Sequence, residues 1–150
     1  VGVCALVLPW NLPLIGVGAK LGPALACGNT VVLKSAESTP LTALRVAELV
    51  EEAGFPAGVV NIISGDGPTT GEHLINHPDV NKISFTGSTA VGKHILRQAA
   101  DGVKRVTLEL GGNNPMIVCA DADLDLAAAE VHNGLFWNDA EACAAGSRIF

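Results

Sequence analysis

The sequence predicts an α/β fold, a parallel sheet with flanking helices. Three observations carry this. Short runs rich in Val, Ile and Leu alternate with longer stretches of helical periodicity. The short runs are nearly all apolar instead of alternating, the pattern of strands buried on both faces beneath helices. Glycines and polar residues gather just after those runs, where an open parallel sheet presents its ligand-binding edge.

Taken in order, the first strand is expected at Val3–Leu8. A helix over Leu12–Ala26 follows, interrupted near Gly22-Pro23 because proline lacks an N–H and crowds the preceding turn. Thr30–Lys34 is the second strand. Leu41–Ala53 reads as a helix with Leu41, Leu44, Ala47 and Val50 on one face, Thr39 to cap it, Pro40 at its start and Gly54 at its end. Val59–Ile63 is a strand and Thr69–Asn76 a short helix. Lys82–Thr86 is a strand leading into a helix over Ser88–Ala100, capped by Ser88, with Val91, Ile95 and Ala99 on one side. Strands at Val106–Leu110 and Met116–Val118 and a helix from Asp123 to about Asn138, with Asp121 or Asp123 at its positive end, complete the pattern.

Composition narrows the function. Of the 150 residues 49% are apolar and 16% charged, which excludes a disordered chain. Four cysteines are too few for a disulfide scaffold, and none has zinc-ligand spacing, so no metal is expected. The formal charge of −6, with no Lys/Arg run, argues against nucleic acid. Val1–Ala19 is uncharged and nearly long enough to span a membrane, but Pro9, Trp10, Asn11 and Pro13 at its centre break a helix, so no membrane span is expected. The only Met is Met116, and the final Ser147–Phe150 enters an apolar run without a turn; the chain is expected to be a piece of a longer protein.

The residues that follow the strands have chemical readings. Phe85-Thr86-Gly87-Ser88 is a strand-to-helix turn in which glycine lets a phosphate approach free N–H groups at a helix start; the plain alternative is an ordinary Ser cap. Glu37 can accept both hydroxyls of an adenosine ribose with Lys34 as a donor, and its charge repels a 2′-phosphate, favouring NAD over NADP. The alternative there is a solvated surface ion pair. Cys143 has small neighbours that leave its sulfur accessible, the plain alternative being a small buried hydrophobe; Cys4, Cys27 and Cys119 sit in apolar runs and fit that alternative well. The four histidines read as surface or helix-end residues.

Pro9-Trp10-Asn11-Leu12-Pro13, Lys34-Ser35-Ala36-Glu37, Phe85-Thr86-Gly87-Ser88-Thr89, Glu109-Leu110-Gly111-Gly112 and Cys143 resemble, in order and spacing, the aldehyde dehydrogenase superfamily. The segments Gly22–Lys34 and Ala53–Asn61 strengthen the resemblance, which covers essentially the whole chain. It implies a Rossmann-like parallel sheet over residues 1–110, the later part of an NAD-binding domain, plus the start of a second α/β catalytic domain over 111–150 that carries the nucleophile. It implies NAD-dependent oxidation of an aldehyde, of broad or retinal type, to a carboxylic acid. Cys143 would be the nucleophile, the Asn11 amide and the Cys143 N–H would hold the oxyanion, and Glu109 would be the general base that hydrolyses the thioester. Lys34 and Glu37 would bind the adenosine ribose and Gly87 and Ser88 the pyrophosphate, with Gly67 and Thr86 also at the cofactor. Trp10 would face the nicotinamide, and the Leu110 carbonyl its carboxamide. The full-length protein would be a homodimer or homotetramer, cytoplasmic or mitochondrial, and the piece alone would have no useful activity.

Departures from the family's pattern stand beside the matches. Ala140-Glu141 replaces the usual Gly-Gln ahead of the nucleophile, and Ala90 an acidic residue after the Gly-Ser-Thr turn. Alanine at a left-handed position strains the turn, and a nearby carboxylate disfavours the thiolate. Two alternatives follow: a catalytically impaired NAD-binding or structural relative, as among lens proteins, and a coenzyme-A-acylating member, which would not need Glu109.

Overall fold

The computed structural model describes residues Val1–Phe150, in two compact units, Val1–Glu109 and Leu110–Phe150. The first unit is built on a five-stranded sheet of β1 (Val3–Val7), β2 (Thr30–Lys34), β3 (Val60–Ile63), β4 (Val80–Gly87) and β5 (Arg105–Leu110), in the order β3-β2-β1-β4-β5. The pairs β1–β2, β2–β3 and β1–β4 are parallel. The chain order reverses between β1 and β4, and a ligand crevice in such sheets lies outside the strand ends at that point.

Cys4, Leu6, Val31 and Leu33 point to one face of the sheet, where Val17 and Leu21 of α1 (Pro13–Ala26) and Ala43 of α2 (Leu41–Glu52) close a fully buried cluster. Ala5, Val7, Ile83 and Phe85 point to the other. There Leu74 and Ile75 of α3 (Glu72–Asn76) and Ile95 and Ala99 of α4 (Thr89–Asp101) are buried. Burial on both faces therefore holds for the inner strands. It does not hold for β5, which lies at an edge and alternates exposed with half-buried residues.

Three local features differ from the sequence pattern. Helix α1 runs unbroken through Pro23. Packing of Val17 and Leu21 on the sheet outweighs the missing N–H, and Asn29 secures the helix end by donating its side-chain Nδ2 to the Ala24 carbonyl at 2.9 Å. Thr39 does not cap α2; its hydroxyl donates instead to the Trp10 carbonyl at 3.2 Å. Gly54 does end that helix, at φ 77°, a left-handed conformation that favours glycine. Before α3 the chain forms a wide π turn, Gly67–Gly71, capped by Asp66 Oδ1, which accepts from the N–H groups of Thr69 at 2.7 Å and Thr70 at 3.3 Å.

The second unit pairs β6 (Pro115–Met116) in parallel with β7 (Arg148–Ile149), a strand that two residues do not announce in sequence. Helix α5 (Leu124–Phe136) starts at Asp123, whose carboxylate accepts from the N–H groups of Asp125 and Leu126. It stops short of Asn138 because Asn138, Asp139 and Ala140 take positive φ of 54°, 58° and 61° in a short 3₁₀ turn. No helix is long and apolar enough to cross a membrane.

Candidate active site

The strand register explains why site-like residues follow the strands. Ile63 pairs with Lys34, Lys34 with Val7, and Val7 with Phe85, so four strands reach one common rung. Immediately beyond it lie Gly67 after β3, Glu37 after β2, Trp10 and Asn11 after β1, and Thr86, Gly87 and Ser88 at the end of β4. Hydrogen bonding of the ladder forces these segments, distant in sequence, to one edge.

Lys34 is not the solvated surface cation that an i,i+3 pair suggests: it is 3% exposed. Its Nζ donates to the Ser35 carbonyl at 3.0 Å and lies 3.6 Å from the exposed Glu37 carboxylate. A buried ammonium costs stability unless its charge is answered. Here the answer is one carbonyl and one loose ion pair, which leaves donor capacity for a further oxygen. Asp66 adds a second carboxylate nearby. Hydrogen bonds headed by the Thr69 N–H, with the Lys34 charge as a smaller contribution, hold its carboxyl below the usual range.

The turn after β4 is tightly fitted. A Cβ on Gly87 would lie 2.5 Å from Phe85 Cζ, so any side chain there would have to displace the buried Phe85 ring. Ser88 caps α4 by accepting the Val91 N–H at 3.3 Å, keeping its own O–H to donate. Between this turn, α3 and α4 lies a cavity of about 240 Å³. Val7, Phe85 and Val91 line it, with Gly67 and Pro68 at its margin.

Trp10 and Glu109 are exposed and Asn11 half-buried, all in the first unit. Leu110 and Cys143 belong to the second. Cys143 is exposed, and its carbonyl, with that of Ala145, accepts from Asn114 Nδ2 at 2.6 and 3.2 Å. The side chain of Asn114 thus fixes the backbone of the cysteine loop. Of the other cysteines only Cys4 is buried; Cys27 and Cys119 are exposed, because the first follows the end of α1 and the second lies in a loop.

Sequence reasoning missed Lys20, the only charged residue of α1, which was itself a signal. Its Nζ donates to Ser84 Oγ at 2.8 Å. Burial lowers its pKa, and the Glu109 carboxylate opposes that shift. It also missed Glu72 and His94, which share a 2.8 Å contact at the cavity.

A parallel α/β sheet with its chain reversal at β1/β4 and its polar turns on one edge is a Rossmann-type architecture. The model of the aldehyde dehydrogenase family matches residues 1–150, and the chain belongs to that family. It is 60% identical over 152 residues to mouse retinaldehyde dehydrogenase 3, covering all of this chain and 30% of that one. Human aldehyde dehydrogenase 1A1 is 57% identical with the same coverage. An NAD+ complex of the aldehyde dehydrogenase from Bacillus cereus superposes with a TM-score of 0.97 at 51% identity, again over 100% of this chain and 30% of the other. The chain thus spans about 30% of the length of these relatives.

Proposed function

We propose that this chain is the part of an NAD-dependent aldehyde dehydrogenase that carries much of the dinucleotide site and the reacting cysteine. The whole protein then oxidises an aldehyde to a carboxylic acid. Residues 1–110 serve as the later part of the NAD-binding domain and 111–150 as the opening of the catalytic domain. The observation that carries the reading is the common rung Ile63–Lys34–Val7–Phe85, from which four turns emerge on one edge. The likeness to mouse retinaldehyde dehydrogenase 3 supports an aldehyde of broad or retinal type, and a homodimer or homotetramer is the expected assembly.

The residues at the edge suit a dinucleotide. Lys34 has an N–H to offer a ribose hydroxyl beside the acceptor Glu37, whose charge selects NAD over NADP. The bare Gly87 backbone and the start of α4, with Ser88, suit a pyrophosphate, and Thr86 flanks the same turn. The apolar cavity beside Gly67 and Pro68 suits a flat base. Trp10 and the Leu110 carbonyl serve the nicotinamide end. When bound, the dinucleotide supplies a hydride acceptor.

The chain's own groups do the remaining chemistry. Cys143, as thiolate, bonds to the aldehyde carbon while the carbonyl oxygen takes the negative charge. The Asn11 amide and the Cys143 N–H donate to that oxygen. As the C=O re-forms, the carbon gives up its hydrogen with the electron pair and the adduct becomes a thioester. Glu109 then takes a proton from water, whose oxygen attacks the thioester carbon; the C–S bond breaks, and thiolate and carboxylic acid separate.

In the full-length enzyme Glu109→Gln should give one burst of NADH per active site followed by steady turnover reduced about 10²-fold or more. Undiminished steady turnover would remove Glu109 from the hydrolytic step.

A further inference from the structure

The geometry points to the Glu72–His94 pair as the device that selects the dinucleotide's purine: the exocyclic amino group donates to the Glu72 carboxylate, which His94 holds in place. This rests on the dinucleotide reading above. The cavity between α3 and α4 is walled by apolar side chains and glycines, with two exceptions, Glu72 from α3 and His94 from α4. Their atoms Oε2 and Nε2 meet at 2.8 Å.

A carboxylate has no proton to donate, so His94 Nε2–H must donate to it. The other oxygen of Glu72 accepts from Asn76 Nδ2, also at 2.8 Å. Hydrogen bonds from His94 first and Asn76 second hold the Glu72 carboxyl below the usual carboxylate range, so it remains an acceptor at neutral pH. Each oxygen still has a free lone pair, and both side chains are only half-covered, within reach of the cavity. The group is thus a fixed acceptor at the margin of an apolar slot.

A 6-aminopurine offers such an acceptor an N–H, whereas a 6-oxopurine offers a carbonyl oxygen that the carboxylate repels. A site built to bond one polar group rejects a ligand that leaves its acceptor unpaired. The competing role is a simple staple between α3 and α4, and the two roles predict different results. Loss of a staple weakens both purines alike; loss of the reader changes their ratio.

The test measures binding of NAD and of its hypoxanthine analogue to the full-length enzyme. The unmodified enzyme should favour NAD by about tenfold or more, the worth of one charge-assisted bond. Glu72→Ala should bring the ratio close to one. Glu72→Gln, whose amide both donates and accepts, should fall between, and His94→Leu should lower the ratio by loosening Glu72. An unmodified ratio near one, or a ratio that Glu72→Ala leaves unchanged, overturns the inference. Val91→Trp separates this from the underlying reading, because filling the slot should weaken both dinucleotides at least tenfold. If NAD binding survives that substitution, the base sits elsewhere and the selector role falls while the dinucleotide reading stands. If both dinucleotides weaken as expected while the Glu72→Ala ratio is unchanged, only the selector role falls. If the unmodified enzyme binds neither dinucleotide, the underlying reading falls.

Discussion

At the scale of single residues, two side chains show how position changes chemistry. Lys34 and Glu37 are three apart in a polar stretch, a pattern that by itself favours a solvated surface ion pair. Only the sheet decides, because Lys34 occupies a rung flanked by Val7 and Ile63 and is buried there. Ala140 is the opposite case. The departure from glycine was visible in sequence, and the backbone is left-handed there, at φ 61°. A Cβ in that conformation costs on the order of 1 kcal/mol. Ala140→Gly should therefore stabilise the protein by about that amount, read as a raised midpoint in chemical denaturation; a lowered midpoint would mean the turn is not strained at this residue. Cysteine burial was poorly legible. Apolar neighbours predicted three buried thiols, but two of these sit beyond ends of elements, where neighbours in sequence are not neighbours in packing.

At the scale of elements, legibility followed agreement between local and tertiary signals. Helix α4 was readable because its Ser88 cap, apolar stripe and helical composition point the same way. The kink expected in α1 failed because burial of Val17 and Leu21 dominates one missing hydrogen bond. Strand β7 was invisible: two residues carry no periodicity, and its partner β6 lies more than thirty positions earlier in the chain. The Asp66 cap before the π turn follows the ordinary N-cap spacing, but the wider winding after it, with the Gly71 N–H donating to the Asp66 carbonyl, has no sequence signature. In α5 no residue is buried within its unit, so its start depends heavily on the Asp123 cap. Asp123→Ala should cost about 1 kcal/mol and increase amide exchange over the first turn of the helix. Unchanged exchange there would show that the cap is dispensable.

At the scale of the whole molecule, the gathering of the candidate site's motifs was legible because a parallel sheet brings separated segments to one edge. The inward-pointing strands produced that edge, and the reversal between β1 and β4 set its middle. Less legible was how much surface the chain leaves uncovered. Leu14 and Ile15 on α1, and Leu124 and Phe136 on α5, are more than half exposed. Strands β3 and β5 are open edges. Patches and edges of this kind call for partners. The isolated 150-residue chain should bind a hydrophobic dye and self-associate, and the full-length protein should do neither beyond the dimer or tetramer proposed for it. A monodisperse, dye-silent isolated chain would contradict that.

The proposed reaction turns on one sulfur, that of Cys143. Full-length Glu109→Gln enzyme, mixed with NAD and an aldehyde, quenched in acid and digested, should yield the Cys143 peptide carrying the added mass of the acyl group, and only when NAD is present. An acyl group on Cys27 or Cys119, or none on any cysteine, would contradict the account.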